Sequence, residues 1–228
     1  MNNRIVFDIE TIGVDFEALD EKSQEYLLKY AKDEVEKEEI KSQRLGLYPL
    51  TGEIVTIGMY NPDTERGAVY FQAPEEEIAP YVKKTIEYST GAEKEILEKF
   101  WADIKNYNQF VTFNGRGFDC PFLMMRSAIL GVKPTRNLMP NRYYMTHIDL
   151  LDQLTFYGAF RRFNLDFYTK SFGIKSPKDG GITGLDVKPF FQKKKYKEIA
   201  EYCAGDVKAT AELFEIWNEY IYFDDRRY

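Results

Sequence analysis

The segment Ile5-Val6-Phe7-Asp8-Ile9-Glu10-Thr11 constrains this chain more than any other. It reads as a β-strand, and a strand sends alternate side chains to opposite faces. Ile5, Phe7 and Ile9 then point one way, and Asp8 and Glu10 the other. Two like charges side by side repel, so an ordinary sheet gains little from them. A pair of hard divalent cations reverses that repulsion. The strand is therefore expected to be the floor of a two-metal site acting on phosphate esters.

With 228 residues, 44% hydrophobic and 16% aromatic, the chain can bury one sizeable core. Residues 1–228 are expected to form a single domain. No run of about 18 apolar residues predicts a membrane span, and the N-terminus lacks the basic-then-apolar pattern of a secretion signal. Two cysteines, Cys120 and Cys203, argue against a disulfide framework, and with one histidine they cannot build a zinc site alone. They are read as buried, inert thiols of a protein in the reducing cytoplasm. The formal net charge of −6 argues against a protein that coats long duplex. Two divalent ions would add four positive charges and bring that −6 to about −2. An enzyme gripping one strand end tolerates such a charge.

Strand patterns fall at Arg4–Glu10, Glu53–Tyr60 and Gly67–Gln72, with Asn61-Pro62-Asp63 as a turn between the last two. Helical spacing of Ile78, Tyr81, Val82 and Ile86 predicts a helix over Glu75–Tyr88. Thr90-Gly91-Ala92-Glu93 fits a capping box opening a helix through Ile96, Leu97, Phe100, Trp101 and Ile104. Then come a strand at Gln109–Phe113, a helix at Phe118–Leu130 with Pro121 in its first turn, and a short strand at His147–Leu150. A short helix at Asn164–Phe172 and a long one at Lys197–Tyr222 close the chain. A meander followed by βαβ crossovers predicts an α/β fold: a mixed five-stranded sheet flanked by helices, in the order of the ribonuclease H-like fold.

Residues 14–50 interrupt the first two strands as a helical insertion. The charged run Asp20–Glu39, with Leu27, Leu28, Tyr30, Ala31 and Val35 interspersed, predicts an amphipathic helix on the body. Its departure from the Asp8/Glu10 strand also admits a flap over substrate. Ser176–Asp186, rich in Gly, Lys and Asp, is expected to be a mobile loop.

Three acidic motifs recur at the ends of different elements. Asp8-Ile9-Glu10-Thr11 is the first. Asn114-Gly115-Arg116-Gly117-Phe118-Asp119 is the second, its glycines allowing a tight turn from strand into helix. Tyr202-Cys203-Ala204-Gly205-Asp206-Val207 is the third. Tyr202 and Asp206, four apart, share a helix face, beside a buried stripe of Ile199, Cys203, Val207, Ala211 and Phe214. Asp149, Asp152 and Asp166 are read as caps and surface groups, and His147 as structural. Arg161-Arg162 and Lys193-Lys194-Lys195 with Lys197 flank the loop before the last helix, as solvated faces or as contacts for backbone phosphates.

Asp8, Glu10, Asp119 and Asp206, with Tyr202 four residues before the last, resemble the DEDD exonucleases, and within them the tyrosine branch. The third motif is similar to the proofreading exonuclease domains of B-family DNA polymerases and their stand-alone relatives. The resemblance runs from Arg4 to about Trp217, and the 14–50 insertion departs from it. The histidine branch places a histidine five residues before the last aspartate, where this chain has Glu201.

The resemblance implies two Mg²⁺ ions, replaceable by Mn²⁺, roughly 3.5–4 Å apart. Asp8 would bridge them, Glu10 and Asp206 would complete the site that activates water, and Asp119 would hold the second ion. Tyr202, a phenol that titrates near ~10 when free, would orient the attacking water rather than serve as a base. Thr11, Asn114 and Phe118 would touch the terminal nucleotide. The implied activity is 3′–5′ exonuclease action on a single-stranded 3′ end, releasing nucleoside 5′-monophosphates. DNA is favoured by the third motif, and RNA stays open because no residue recognisably reads the 2′-hydroxyl. An RNA-trimming exoribonuclease, a ribonuclease H-type endonuclease and a non-catalytic nucleic-acid-binding module on the same fold are the alternatives. Whether a polymerase is a partner is not legible.

Overall fold

The computed structural model of the chain describes residues 3–175 and 182–223. The loop expected at Ser176–Asp186 falls largely outside them. Seven strands make one sheet: β1 Arg4–Gly13, β2 Gly52–Asn61, β3 Arg66–Phe71, β4 Tyr81–Lys83, β5 Ile86–Thr90, β6 Gln109–Thr112 and β7 His147–Asp149. The helices are α1 Glu21–Leu28, α2 Glu34–Glu39, α3 Glu93–Ile104, α4 Asp119–Ile129, α5 Leu150–Leu154, α6 Leu165–Ser171, α7 Val187–Gln192 and α8 Tyr196–Tyr220. The spatial order of strands is β4-β5-β3-β2-β1-β6-β7. β1, β2 and β3 form an antiparallel meander, and β6 and β7 extend it with parallel pairs beside β1.

The alternation in β1 decides where everything else packs. Ile5, Phe7 and Ile9 face α3 and α4, in a core with Phe100, Trp101, Phe122 and Leu123. Phe7 meets Phe100 edge-on at 5.4 Å between ring centres, a favoured aromatic geometry. Val6 points to the opposite face and joins Val207, Phe214 and Trp217 of α8. Asp8 and Glu10 share that second parity, so they lie under α8. This is the ribonuclease H-like arrangement, with helices on both faces of a mixed sheet.

The expected helix at Glu75–Tyr88 does not form, and the sheet has seven strands instead of five. The segment makes the β4–β5 hairpin, with β5 parallel to β3. Pro80 breaks the helical backbone just before β4. Ile86 and Tyr88 are buried with Glu87 exposed between them, a period of two. Tyr81 and Tyr88 sit directly opposite, their rings stacked at 4.7 Å. Val82, which seemed to complete a helical stripe, is exposed.

The start of α3 also differs from expectation. Ala92 is the N-cap, and Glu95 accepts its N–H at 2.8 Å. Glu93 is buried instead. It accepts the Ile54 N–H at 2.8 Å and takes a bidentate pair of hydrogen bonds from Arg126, at 2.8 and 2.6 Å. The same guanidinium donates to the Pro49 carbonyl at 3.2 Å. One ion pair thus ties α3, α4, β2 and the end of the insertion together.

Within residues 14–50 there are two short helices rather than one. Asp20 caps α1 and Asp33 caps α2, each accepting a backbone N–H three residues on. These caps divide the charged run. Neither helix buries a residue, and Tyr30 and Val35 are exposed. The insertion is anchored at its ends: Phe16 and Leu45 are buried, and Thr11 Oγ1 donates to the Gly46 carbonyl at 2.7 Å. Gly13 and Gly46 permit that approach, since a Cβ on Gly13 would lie 2.6 Å from Leu45 Cβ. Among the described residues no helix is long and apolar enough to cross a membrane.

Candidate active site

Asp8 pairs across the sheet with Gly58 of β2, and Glu10 with Thr56. The ladder shifts between Glu10 and Thr11, leaving Val55 as the extra residue of a bulge, a common device beside active sites. Gly58 lets α8 settle onto the strand. A Cβ there would meet Cys203 Sγ at 2.8 Å and Val207 Cγ1 at 3.1 Å. The close approach sets Cys203 Sγ 3.9 Å from Asp8 Oδ2, and one potential ligand atom from each of Asp8, Glu10 and Cys203 falls within 4.8 Å of the others. Tyr202 and Asp206 flank Cys203 on α8, both buried, with the phenol donating to the Asp206 carboxylate.

Asp119 arrives from the other face of the sheet. The β1–β6 pairing ends at Val6 and Val111. Farther along β1, the Ile9 N–H donates to Asp119 Oδ1 at 3.0 Å. The turn that delivers Asp119 is held by a residue far away in sequence. Asp149 Oδ1 accepts the N–H of Asn114 at 2.9 Å and of Leu151 at 3.0 Å, while Oδ2 accepts that of Arg116 at 2.9 Å. Asn114 takes the left-handed backbone, at φ 63°, and Gly115 lies against the Thr112 side chain, where a Cβ would not fit. Asp149 is therefore a cap, as expected, but a buried one. Asp152 is buried too, beneath Arg142 at 2.8 Å and Arg162 at 3.5 Å. Asp166 pairs with Lys170 at 2.9 Å on α6.

The electrostatics follow from crowding. The Asp8 carboxyl is held well above the usual range, by burial first and then by Asp119, Asp206 and Glu10. Asp119 is raised to about 7, again chiefly by burial, although backbone N–H groups oppose the shift. The Tyr202 phenol is pushed up by burial and by Glu10, Asp206 and Asp8, so it stays protonated. The same two causes keep Cys203 a neutral thiol. The charged donors are all carboxylate oxygens that destabilise one another. That donor set fits hard divalent cations, and the protonated sulfur adds no soft thiolate to it.

His147 is structural. A carbonyl can only accept, so its Nδ1 donates to Leu138 O at 3.0 Å, and Nε2 accepts from Thr112 Oγ1 at 2.8 Å. Burial lowers its pKa to about 3.

The three expected substrate contacts divide between two concavities. Thr11 and Phe118 join Glu10 along a groove of about 1140 Å³. Phe16, Lys41 and Leu47 of the insertion line it, together with Leu185 and Lys188. The insertion is thus part of the groove wall. Asn114 instead lines a cavity of about 300 Å³ with Arg116, Arg142 and Arg162. Lys194 and Lys195 pair with Glu75 and Glu198. The insertion, which the sequence allowed as a flap over substrate, lines the groove, whereas Cys203, read only as a buried inert thiol, was missed as a site component.

A family model described as "Predicted 3'-5' exonuclease related to the exonuclease domain of PolB" matches residues 70–223. That span holds Asp119, Tyr202 and Asp206, while β1 with Asp8 and Glu10 precedes it. Among solved structures, the family B DNA polymerase from the hyperthermophilic archaeon Pyrobaculum calidifontis is similar over 96% of this chain, with a TM-score of 0.60 and 18% identity. The match covers 25% of that polymerase chain. No curated protein matches the sequence. The family match takes in well over half of the residues, and the chain belongs to the predicted 3′–5′ exonucleases related to the exonuclease domain of PolB.

Proposed function

We propose that the chain hydrolyses the last phosphodiester at the 3′ end of single-stranded nucleic acid, with DNA preferred, and releases nucleoside 5′-monophosphates. The observation that carries this reading is the meeting of Asp8, Glu10, Asp119 and Asp206, from three elements, beside a groove open to solvent. These four carboxylates would hold Mg²⁺, with Mn²⁺ as a substitute. Such ions, when bound, acidify water and neutralise charge on the departing 3′ oxygen. The single sheet through all seven strands supports one exonuclease domain with residues 14–50 inserted.

The chain's own groups do the positioning. Tyr202 stays protonated at neutral pH with its O–H given to Asp206, so its oxygen is left to accept from and orient the attacking water, and it takes no proton. Ile9 N–H fixes the rotamer of Asp119, keeping one carboxylate oxygen directed into the site. Phe118 offers a ring at the groove mouth for the terminal base, and Thr11, bonded to Gly46, holds the insertion wall beside it.

The test is digestion of 5′-labelled single-stranded DNA and RNA 12-mers by the purified chain. Expected with Mg²⁺ or Mn²⁺ is a ladder shortening one nucleotide at a time from the 3′ end, with 5′-monophosphates as product and no cleavage in EDTA. Absence of shortening with either metal, or internal cuts in a circular single strand, would contradict the proposal. Faster digestion of RNA would reverse the substrate preference alone.

A further inference from the structure

Beyond the groove, residues 139–163 build a surface that neither the core nor the four carboxylates account for. Tyr143 and Phe160 are 66% and 65% exposed, and Tyr144 and Phe156 are exposed as well. Monomeric proteins rarely show so many large rings to water without a binding role. The turn that carries two of these rings is also tied to the fold. Phe156 and Tyr157 occupy the left-handed backbone region, at φ 49° and 58°, which bulky residues seldom adopt. Hydrogen bonds from Phe156 N to Gln153 O at 3.0 Å and from Tyr157 N to Asp152 O at 2.7 Å lock this turn to the end of α5. Tyr157 pairs with Tyr143 at 5.1 Å, and Phe156 with Phe160 at 5.8 Å.

Guanidinium groups are interleaved with the rings. Arg142 lies over Tyr157 at 5.5 Å, and Arg161 over Phe163 at 5.2 Å. Arg142 and Arg162 converge on Asp152 at the wall of the 300 Å³ cavity, and Arg116, which also lines it, reaches the Pro140 carbonyl at 2.9 Å. The two acids of that cavity are already engaged, Asp149 by three backbone N–H groups and Asp152 by two arginines. In a chain of net charge −6, this is a local surplus of cations.

The cavity and the groove adjoin along one turn. Asn114 and Gly117 line the cavity, Phe118 lines the groove, and Asp119 follows directly. A strand whose 3′ end enters the groove has only this turn to cross.

We infer that the aromatic and arginine surface of residues 139–163 is a stacking platform for the part of a single nucleic-acid strand lying 5′ of the scissile end, with the Arg142/Arg162 cavity receiving a backbone phosphate. The inference rests on the exonuclease reading for the direction of the strand. Rings stack on any base, and arginines follow the phosphates, so the platform tolerates sequence and accepts DNA and RNA alike. It disfavours duplex, whose bases are already stacked on one another.

The test is fluorescence anisotropy of 5′-labelled dT12, rU12 and a 12-base-pair duplex with the full chain in EDTA, where no hydrolysis intervenes. Tyr143→Ala with Phe160→Ala removes one ring from each pair at exposed positions. It is expected to weaken dT12 and rU12 binding by about 30-fold or more. Arg162→Ala is expected to lower the slope of log affinity against log salt by about 0.7, the value for one phosphate contact on a single strand. Unaltered binding by the ring variant, a salt slope that does not change, or duplex binding as tight as dT12 overturns the platform. So does a wild-type chain that fails to bind dT12. Failure of the nuclease reading registers separately: a chain that binds dT12 through these rings but releases no nucleotide with Mg²⁺ or Mn²⁺ keeps the platform and loses the reaction. A chain that digests dT12 while its affinity ignores the rings loses only the platform.

Discussion

Three carboxylates act on Asp8, and burial removes the water that would screen them. Asp8→Asn therefore has two expected effects of opposite kind. Cleavage falls by roughly 10³-fold or more through loss of a ligand. The melting temperature of the metal-free chain rises, because a buried like charge is gone; a calorimetric scan in EDTA reads this directly. Tyr202→Phe removes a donor and no charge, so the rate is expected to drop by about 10²-fold or less, with the Mn²⁺-induced rise in melting temperature preserved. A Tyr202→Phe chain as inactive as Asp8→Asn would assign the phenol a larger part. At this scale the convergence of the acids was legible because each sits in a short motif, whereas Cys203, although inside the third motif, was read as an inert thiol on a helical stripe. Its place beside Asp8 depends on Gly58, 145 residues earlier in the chain. Asp149 likewise read as a cap, which it is, but nothing local shows its second oxygen holding Arg116.

The elements of the site meet because α8 lies close on β2, and Gly58 is what allows it. Gly58→Ala would drive a methyl group into Cys203 Sγ and Val207 Cγ1. The expected cost is about 1–3 kcal/mol of stability, with a loss of activity as Tyr202 and Asp206 are carried away from β1. Adding Cys203→Ala vacates the tighter of the two contacts and is expected to restore part of both; thermal melts and initial rates on the wild type, the two single variants and the double variant measure it. A Gly58→Ala chain with wild-type rate and stability would mean that α8 is not seated as described. β1, β2, β3, β6 and α8 were legible because apolar periodicity and turn residues agree over each. The β4–β5 hairpin was not, since Ile78, Val82 and Ile86 happen to fall at helical spacing, and the period of two shows only across Ile86, Glu87 and Tyr88. The insertion misled for a related reason: its charged run looks continuous until Asp33 is recognised as a second cap.

Across the whole molecule, the crowded carboxyls make stability depend on pH and on cations together. Asp119 holds its proton up to about 7 in the folded chain, against about 3.9 when unfolded. The folded state thus binds the proton more tightly. Its stabilising contribution is complete below the unfolded value and is lost as pH rises from about 4 through about 7; Asp8, also raised, acts in the same direction. Divalent ions favour the ionised carboxylates, so the rise in melting temperature caused by Mn²⁺ is expected to be larger at pH 8 than at pH 5.5. An equal shift at both values would disconnect the cations from these acids.

The most direct measurement is anomalous diffraction from crystals of the full chain soaked in Mn²⁺. The expected map has strong anomalous peaks within coordinating distance of the carboxylates of Asp8, Glu10, Asp119 and Asp206, absent from crystals of Asp8→Asn. A map with no peak among these four side chains, at Mn²⁺ concentrations that support binding elsewhere on the protein, would contradict the assignment of the site.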